Sequence, residues 1–91
     1  MELVHKNITV VGVVQGVGFR FHTIRIAKTL GIKGYIKNLP DGNVYIEAEA
    51  PPENIDDFIN WCYQGPPRSR VSDVIITESE IVNYKGFDVK Y

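Results

Sequence analysis

The sequence predicts an α+β fold in which two amphipathic helices cover one face of an antiparallel sheet, and three observations predict it. Segments rich in β-branched residues and segments of helical apolar spacing follow one another as strand, helix, strand, strand, helix, strand, with a short strand added at the end. A Pro40-Asp41-Gly42 turn joins the two middle strands into a hairpin. Glycine or proline follows each helical segment and stops it.

Lys6 to Val14 is the first strand, ending where Gly16 and Gly18 interrupt the pattern. A helix from about Phe19 follows. Its apolar residues Phe21, Ile24, Ala27 and Leu30, with Ile26 alongside, define the expected buried stripe, and Gly31 suits the left-handed C-terminal cap. Lys33 to Leu39 and Asn43 to Ala50 are the hairpin strands. Pro52 is placed to open a second helix, whose Ile55, Phe58, Ile59 and Cys62 occupy i, i+3, i+4 and i+7 positions, and Gly65-Pro66-Pro67 ends it. Val71 to Thr77 is the fourth strand, and Phe87, Val89 and Tyr91 alternate as a short terminal one. This order is the split β-α-β, or ferredoxin-like, sandwich. The fold hosts metal carriers, RNA-binding modules and enzymes, so function rests on the sites.

Ninety-one residues suffice for one domain, 1–91, with a thin core, because a chain this short buries only about 60 to 65% of its unfolded surface. With 44% hydrophobic and 23% charged residues the composition is that of a globular domain. The longest apolar stretch, Ile8 to Val14, is far shorter than the roughly 20 residues that span a bilayer. Met1 to Asn7 lacks the apolar segment of a signal peptide. The single cysteine, Cys62, excludes an internal disulfide and a thiolate cluster, and points to the reducing cytoplasm. His5 and His22 alone do not make a metal site, so no metal and no cofactor is expected.

The net charge of −1 conceals an asymmetry. Leu3 to Pro40 carries six bases and no acid, whereas Asp41 to Tyr91 carries ten acids and four bases. Either the first half forms a basic end that attracts small anions, or the halves interleave in space and the segregation has no electrostatic consequence. A nucleic-acid binder would be basic overall with aromatic residues among the bases, so no nucleic-acid partner is expected.

The run Gly12-Val13-Val14-Gln15-Gly16-Val17-Gly18-Phe19-Arg20 leads from a strand end into a helix start, where several backbone N–H groups have no helical partner. Gly16 and Gly18 permit the backbone to curl so that successive N–H groups converge on an anion. Arg20 adds a planar fork that grips two oxygens. A cation in the first helical turn opposes the macrodipole by about 0.3 to 1 kcal/mol, a conflict that a bound anion removes. The other reading is a plain tight turn, with Arg20 paired to a surface carboxylate. The run lacks the Gly-Lys-Ser/Thr ending of the Walker loop and the third glycine of the dinucleotide fingerprint, which sets ATP and NAD aside.

This run, followed by Gly34-Tyr35-Ile36-Lys37-Asn38-x-x-x-Gly42-x-Val44, resembles both signature stretches of the acylphosphatase family. Gly65-Pro66-Pro67 and the ending Gly86-Phe87-x-Val89-Lys90-Tyr91 also resemble that family, so the likeness covers nearly the whole chain. Ile36, Ala50 and Lys90 depart from its usual residues, and none of these departures removes a chemical group. The resemblance implies a monomeric acylphosphatase that hydrolyses small acyl phosphates. It further implies that Arg20, with Gln15, Gly16, Val17, Gly18 and Phe19 of the loop, binds the phosphoryl group, and that Asn38 positions the attacking water.

The residues are consistent with that chemistry. Phosphoryl transfer passes through a loose transition state with charge on three equatorial oxygens, which amides and a guanidinium stabilise. Asn38, which read alone is a turn residue preparing the hairpin, cannot act as a base but can hold a water in line. Without a general acid the leaving group must depart unprotonated, so acetyl, carbamoyl or glyceroyl phosphate qualifies and a phosphate monoester does not. The non-enzymatic alternative is a phosphate-binding domain of the same fold without turnover. Cys62-x-x-x-x-x-Arg68 has the spacing of a tyrosine phosphatase loop, but Cys62 falls on an apolar helix face and Pro66 and Pro67 remove donors that such a loop needs. His22 is read as a helix-surface residue. Tyr35 and Tyr45, on adjacent strands, are read as core or surface aromatics rather than as a base-stacking platform.

Overall fold

The computed structural model describes residues 2–91; Met1, within the stretch read as lacking a signal segment, lies outside them. The elements are β1 (Val4–Val13), α1 (Phe19–Thr29), β2 (Lys33–Asn38), β3 (Val44–Ala50), α2 (Pro52–Gln64), β4 (Arg70–Glu78) and β5 (Phe87–Lys90). The sheet order is β4-β1-β3-β2-β5, and the first four strands pair antiparallel. The short β5 pairs parallel to β2, so the sheet is mixed rather than wholly antiparallel. Residues 79–86 form a crossover connection that carries the chain from the β4 edge of the sheet to the β5 edge.

Alternation along the strands separates two faces. Ile8 and Val10 of β1, Ile36 of β2 and Val44, Ile46 and Ala48 of β3 are fully buried on the face beneath the helices. Ile55, Phe58 and Cys62 of α2 close over them, as the helical spacing predicts. In α1 the fully buried line is Phe19, Thr23 and Ala27; of the expected stripe, Ile24, Ile26 and Leu30 pack partly buried against the core, and Phe21 alone leaves it, at 62% exposed. The i, i+4, i+8 series follows the helical repeat of 3.6 more closely than a strict every-third series, which drifts off the core face.

The turn chemistry is as read from the sequence. At the end of α1 the Gly31 N–H donates to Lys28 and the Ile32 N–H to Ala27, the paired bonds of a Schellman cap. In the hairpin, Leu39 N–H donates to Asn43 O at 2.9 Å, and the Asp41 carboxylate accepts the Asn43 N–H at 3.0 Å. The charge asymmetry resolves toward interleaving, because β1 from the basic half lies between β3 and β4 from the acidic half, and Lys6 pairs with Glu78. Among the described residues no helix is long and apolar enough to cross a membrane.

Candidate active site

Between β1 and α1 the chain turns through Val14 to Gly18, with Gly16 at φ 73° and Gly18 at φ 79°. Both angles lie in the left-handed region that side chains disfavour. A Cβ on Gly16 would meet no atom within 4 Å, so conformation, not space, demands glycine there. Gly18 is the N-cap of α1, no side chain caps this end, and the first turn holds no acidic residue. The N–H groups of Phe19, Arg20 and Phe21 therefore have no intrahelical partner, and the positive end of the helix dipole stands uncompensated.

The expected site residues do not all serve through their side chains. Gln15, Gly16, Gly18, Phe19, Arg20 and Asn38 line one cavity of about 350 Å³. Val17 is not among its lining residues, and its side chain packs against the core. Phe19 is 1% exposed and leans on Trp61 with ring centroids 5.4 Å apart, so its backbone is what it offers a ligand. The Gln15 amide donates to the carbonyl oxygens of Leu39 and Asn43, at 2.8 Å each, which commits this side chain to the hairpin.

Arg20 stands in the first turn of α1, and the ion pairs found among the described residues, those of His5 and Lys6, do not involve it. The reading in which Arg20 pairs with a surface carboxylate thus has no partner to support it among those residues. Its guanidinium carbon lies 5.5 Å from the centroid of the Tyr91 ring. Asn38 is the last residue of β2, on the same face as Ile36, and lines the cavity.

Sequence reasoning missed five cavity residues, Val14, Phe21, Ile24, Val89 and Tyr91. The signal was present in the alternation of Phe87, Val89 and Tyr91, which sets all three on one face. What it lacked was the partner strand. Ile36 pairs with Val89 and Lys37 with Lys90, so Asn38 and Tyr91 are the next positions along the two strands.

Other readings are decided by burial. Cys62 is fully buried, and burial pushes its thiol up to about 12, which leaves no thiolate for a phosphatase nucleophile. His22 lies along a second groove with Trp61 and Pro66, outside the cavity of Arg20. The hydroxyls of Tyr35 and Tyr45 both donate to Glu47.

That glutamate organises the outer face of the sheet. Its Oε1 accepts His5 Nε2 at 2.7 Å and the Tyr84 hydroxyl at 3.0 Å, while Oε2 accepts the hydroxyls of Tyr45 at 2.7 Å and Tyr35 at 3.1 Å. Burial alone would raise the Glu47 pKa, but the bonds from Tyr45, Tyr84, His5 and Tyr35 outweigh it and hold the carboxyl below its ordinary 4.5. Burial and the same carboxylate raise the phenols of Tyr35 and Tyr45, and Tyr84 is pushed up to about 12. Glu49 accepts the backbone N–H groups of Val82, Asn83 and Tyr84. His5 Nδ1 donates to the Glu80 carbonyl at 2.7 Å. Together these bonds bind the 79–86 crossover to the sheet just before β5 brings Val89 and Tyr91 to the cavity.

Residues 6–89 match the family model described as Acylphosphatase. A curated acylphosphatase of Archaeoglobus fulgidus is 48% identical over 89 residues, covering 98% of this chain and 100% of the relative. One from Thermotoga maritima is 45% identical over 85 residues, covering 93% of this chain and 94% of the relative. The crystal structure of acylphosphatase from Bacillus subtilis superposes with a TM-score of 0.94 at 36% identity, covering 97% of this chain and 99% of that one.

Proposed function

The chain belongs to the acylphosphatase family of enzymes, and from that premise we propose how its own residues carry out the hydrolysis of a small acyl phosphate. The loop amides of residues 15–19 and the Arg20 guanidinium hold the phosphoryl oxygens. Asn38 holds a water opposite the departing carboxylate. The water oxygen forms a bond to phosphorus as the bond between phosphorus and the acyl oxygen breaks, and the bonding pair leaves with the carboxylate. A water proton passes to a phosphoryl oxygen, giving a carboxylate and inorganic phosphate. The preorganised donors meet the charge that spreads over the equatorial oxygens.

The observation that carries this reading is that Arg20 and Asn38, eighteen positions apart in the sequence, line the same cavity, and that Arg20 has no carboxylate partner among the described residues. An unneutralised guanidinium at an uncapped helix start suits a phosphoryl dianion. In the same reading residues 1–91 act as one domain, a cytoplasmic monomer that uses a free small molecule, needs no metal or other cofactor and has no nucleic-acid partner.

Hydrolysis rates of acetyl phosphate and of an aryl phosphate monoester, measured side by side with EDTA present, test the proposal. Fast cleavage of the acyl phosphate alone is expected. Cleavage of both substrates, or loss of activity on chelation, would contradict the mechanism.

A further inference from the structure

The phosphoryl group accounts for only part of the cavity. Its volume is about 350 Å³, whereas a phosphoryl group displaces on the order of two waters at roughly 30 Å³ each. Besides the buried Val14, the remaining wall is apolar and comes from Phe21 and Ile24 of α1 and from Val89 with Tyr91 at the end of β5. Single exposed apolar residues are ordinary, but these four converge beside a cluster of polar donors, which is the usual composition of a small-molecule pocket.

Two details give the wall a direction. Phe21 is 62% exposed although it sits next to Arg20, because Phe19 and Thr23 take the core positions of α1. The guanidinium carbon of Arg25 lies over the Phe21 ring, 5.7 Å from the centroid. The Tyr91 ring, although fully exposed, has its centroid 5.5 Å from the Arg20 guanidinium carbon, and the guanidinium fork remains for oxygens. The phosphate cradle and the apolar wall therefore share Arg20. Hydroxyl or amide groups on a bound molecule would find no polar partner on Phe21, Ile24 or Val89.

We propose that Phe21, Ile24, Val89 and Tyr91 form a subsite for the organic half of the substrate, and that the preferred substrates are phosphates of unbranched apolar or aromatic carboxylic acids. The proposal rests on the acylphosphatase reading of Arg20 and Asn38. Small polar acyl groups such as carbamoyl or glyceroyl, which the chemistry of the leaving group admits equally, gain nothing from this wall. Because the subsite contacts atoms remote from the reacting phosphorus, it acts on ground state and transition state alike and appears in KM.

A chain-length series of acetyl, butanoyl and hexanoyl phosphate tests this, since their intrinsic reactivities are close. Each methylene laid on a wall open to water on one side contributes about a twofold gain in kcat/KM, so hexanoyl should exceed acetyl phosphate by about 10- to 20-fold. The gain should lie in KM. Phe21→Ala and Tyr91→Ala should each bring that ratio below about 5, and Tyr91→Phe should preserve it. Both aromatic side chains are exposed, so the variants are expected to fold, which circular dichroism checks. Acyl phosphate cleavage that is indifferent to chain length, or a ratio unchanged in both alanine variants, would overturn the subsite while leaving the phosphatase reading intact. Absence of cleavage at every chain length would overturn both.

Discussion

The side-chain amide of Gln15 donates to the carbonyl of Leu39, the residue that follows Asn38, at 2.8 Å, and also to that of Asn43 at 2.8 Å. The loop proposed to hold the phosphoryl group is thereby tied to the hairpin that carries the proposed water-positioning residue. Among the described residues no other side chain of the loop makes such a bond.

Gln15→Ala should therefore reduce turnover more than phosphate affinity, by roughly 10-fold in kcat, because misplacement of reacting groups by a fraction of an ångström is costly. Both carbonyls keep a backbone donor, from Gly42 N–H and Leu39 N–H, so no buried acceptor is orphaned. The stability loss should then be about 1–2 kcal/mol for the two bonds, read from the urea midpoint. Gln15→Glu should be worse than alanine, since it sets a carboxylate against two carbonyls.

Acid should loosen the crossover. The Glu47 pKa is lowered in the folded protein, so the stabilisation it provides is fully present above its ordinary 4.5 and is lost as pH falls through the lower folded value. The phenol of Tyr84 is shifted the other way, so its contribution is complete below pH 10 and is lost as pH rises toward about 12. Glu47→Gln should remove much of the acid dependence and cost about 2–3 kcal/mol at pH 7, because an amide cannot accept all four bonds. Urea midpoints of both proteins at pH 7 and pH 3.5 check this, and equal slopes would contradict it.

The Cys62 thiol should resist alkylation in the native protein at pH 8 and react after unfolding in urea. Burial raises it to about 12 and shields it from reagent. Cys62→Ala should retain acyl phosphate hydrolysis to within a few fold. Loss of all turnover in that folded variant would revive a cysteine nucleophile.

Much of this architecture was legible because it depends on local chemistry. The Pro40-Asp41-Gly42 turn, the Gly31 cap, the α2 face and the glycine loop before Arg20 are each specified by neighbouring residues. The outer-face cluster was not legible, because His5, Tyr35, Glu47 and Tyr84 meet only after strands from distant parts of the chain have aligned. The apolar wall escaped notice for the same reason, as Tyr91 reaches Arg20 only through the parallel pairing of β5 with β2. The exchange of Phe21 for Thr23 on the buried face has another cause. Hydrophobicity favoured Phe21, but helical phase set beside Phe19 and Ala27 decided for the smaller residue.

The most direct test of the division of roles between Arg20 and Asn38 is the affinity of each alanine variant for inorganic phosphate, by titration calorimetry, set beside its kcat on acetyl phosphate. Arg20→Ala should lose phosphate affinity by about 10-fold or more and turnover with it, since a charge-assisted fork to the anion is removed. Asn38→Ala should bind phosphate within about twofold of the parent while kcat falls by roughly 100-fold, since only the water loses its holder. Equal loss of phosphate affinity in both variants, or full turnover in Asn38→Ala, would contradict the account.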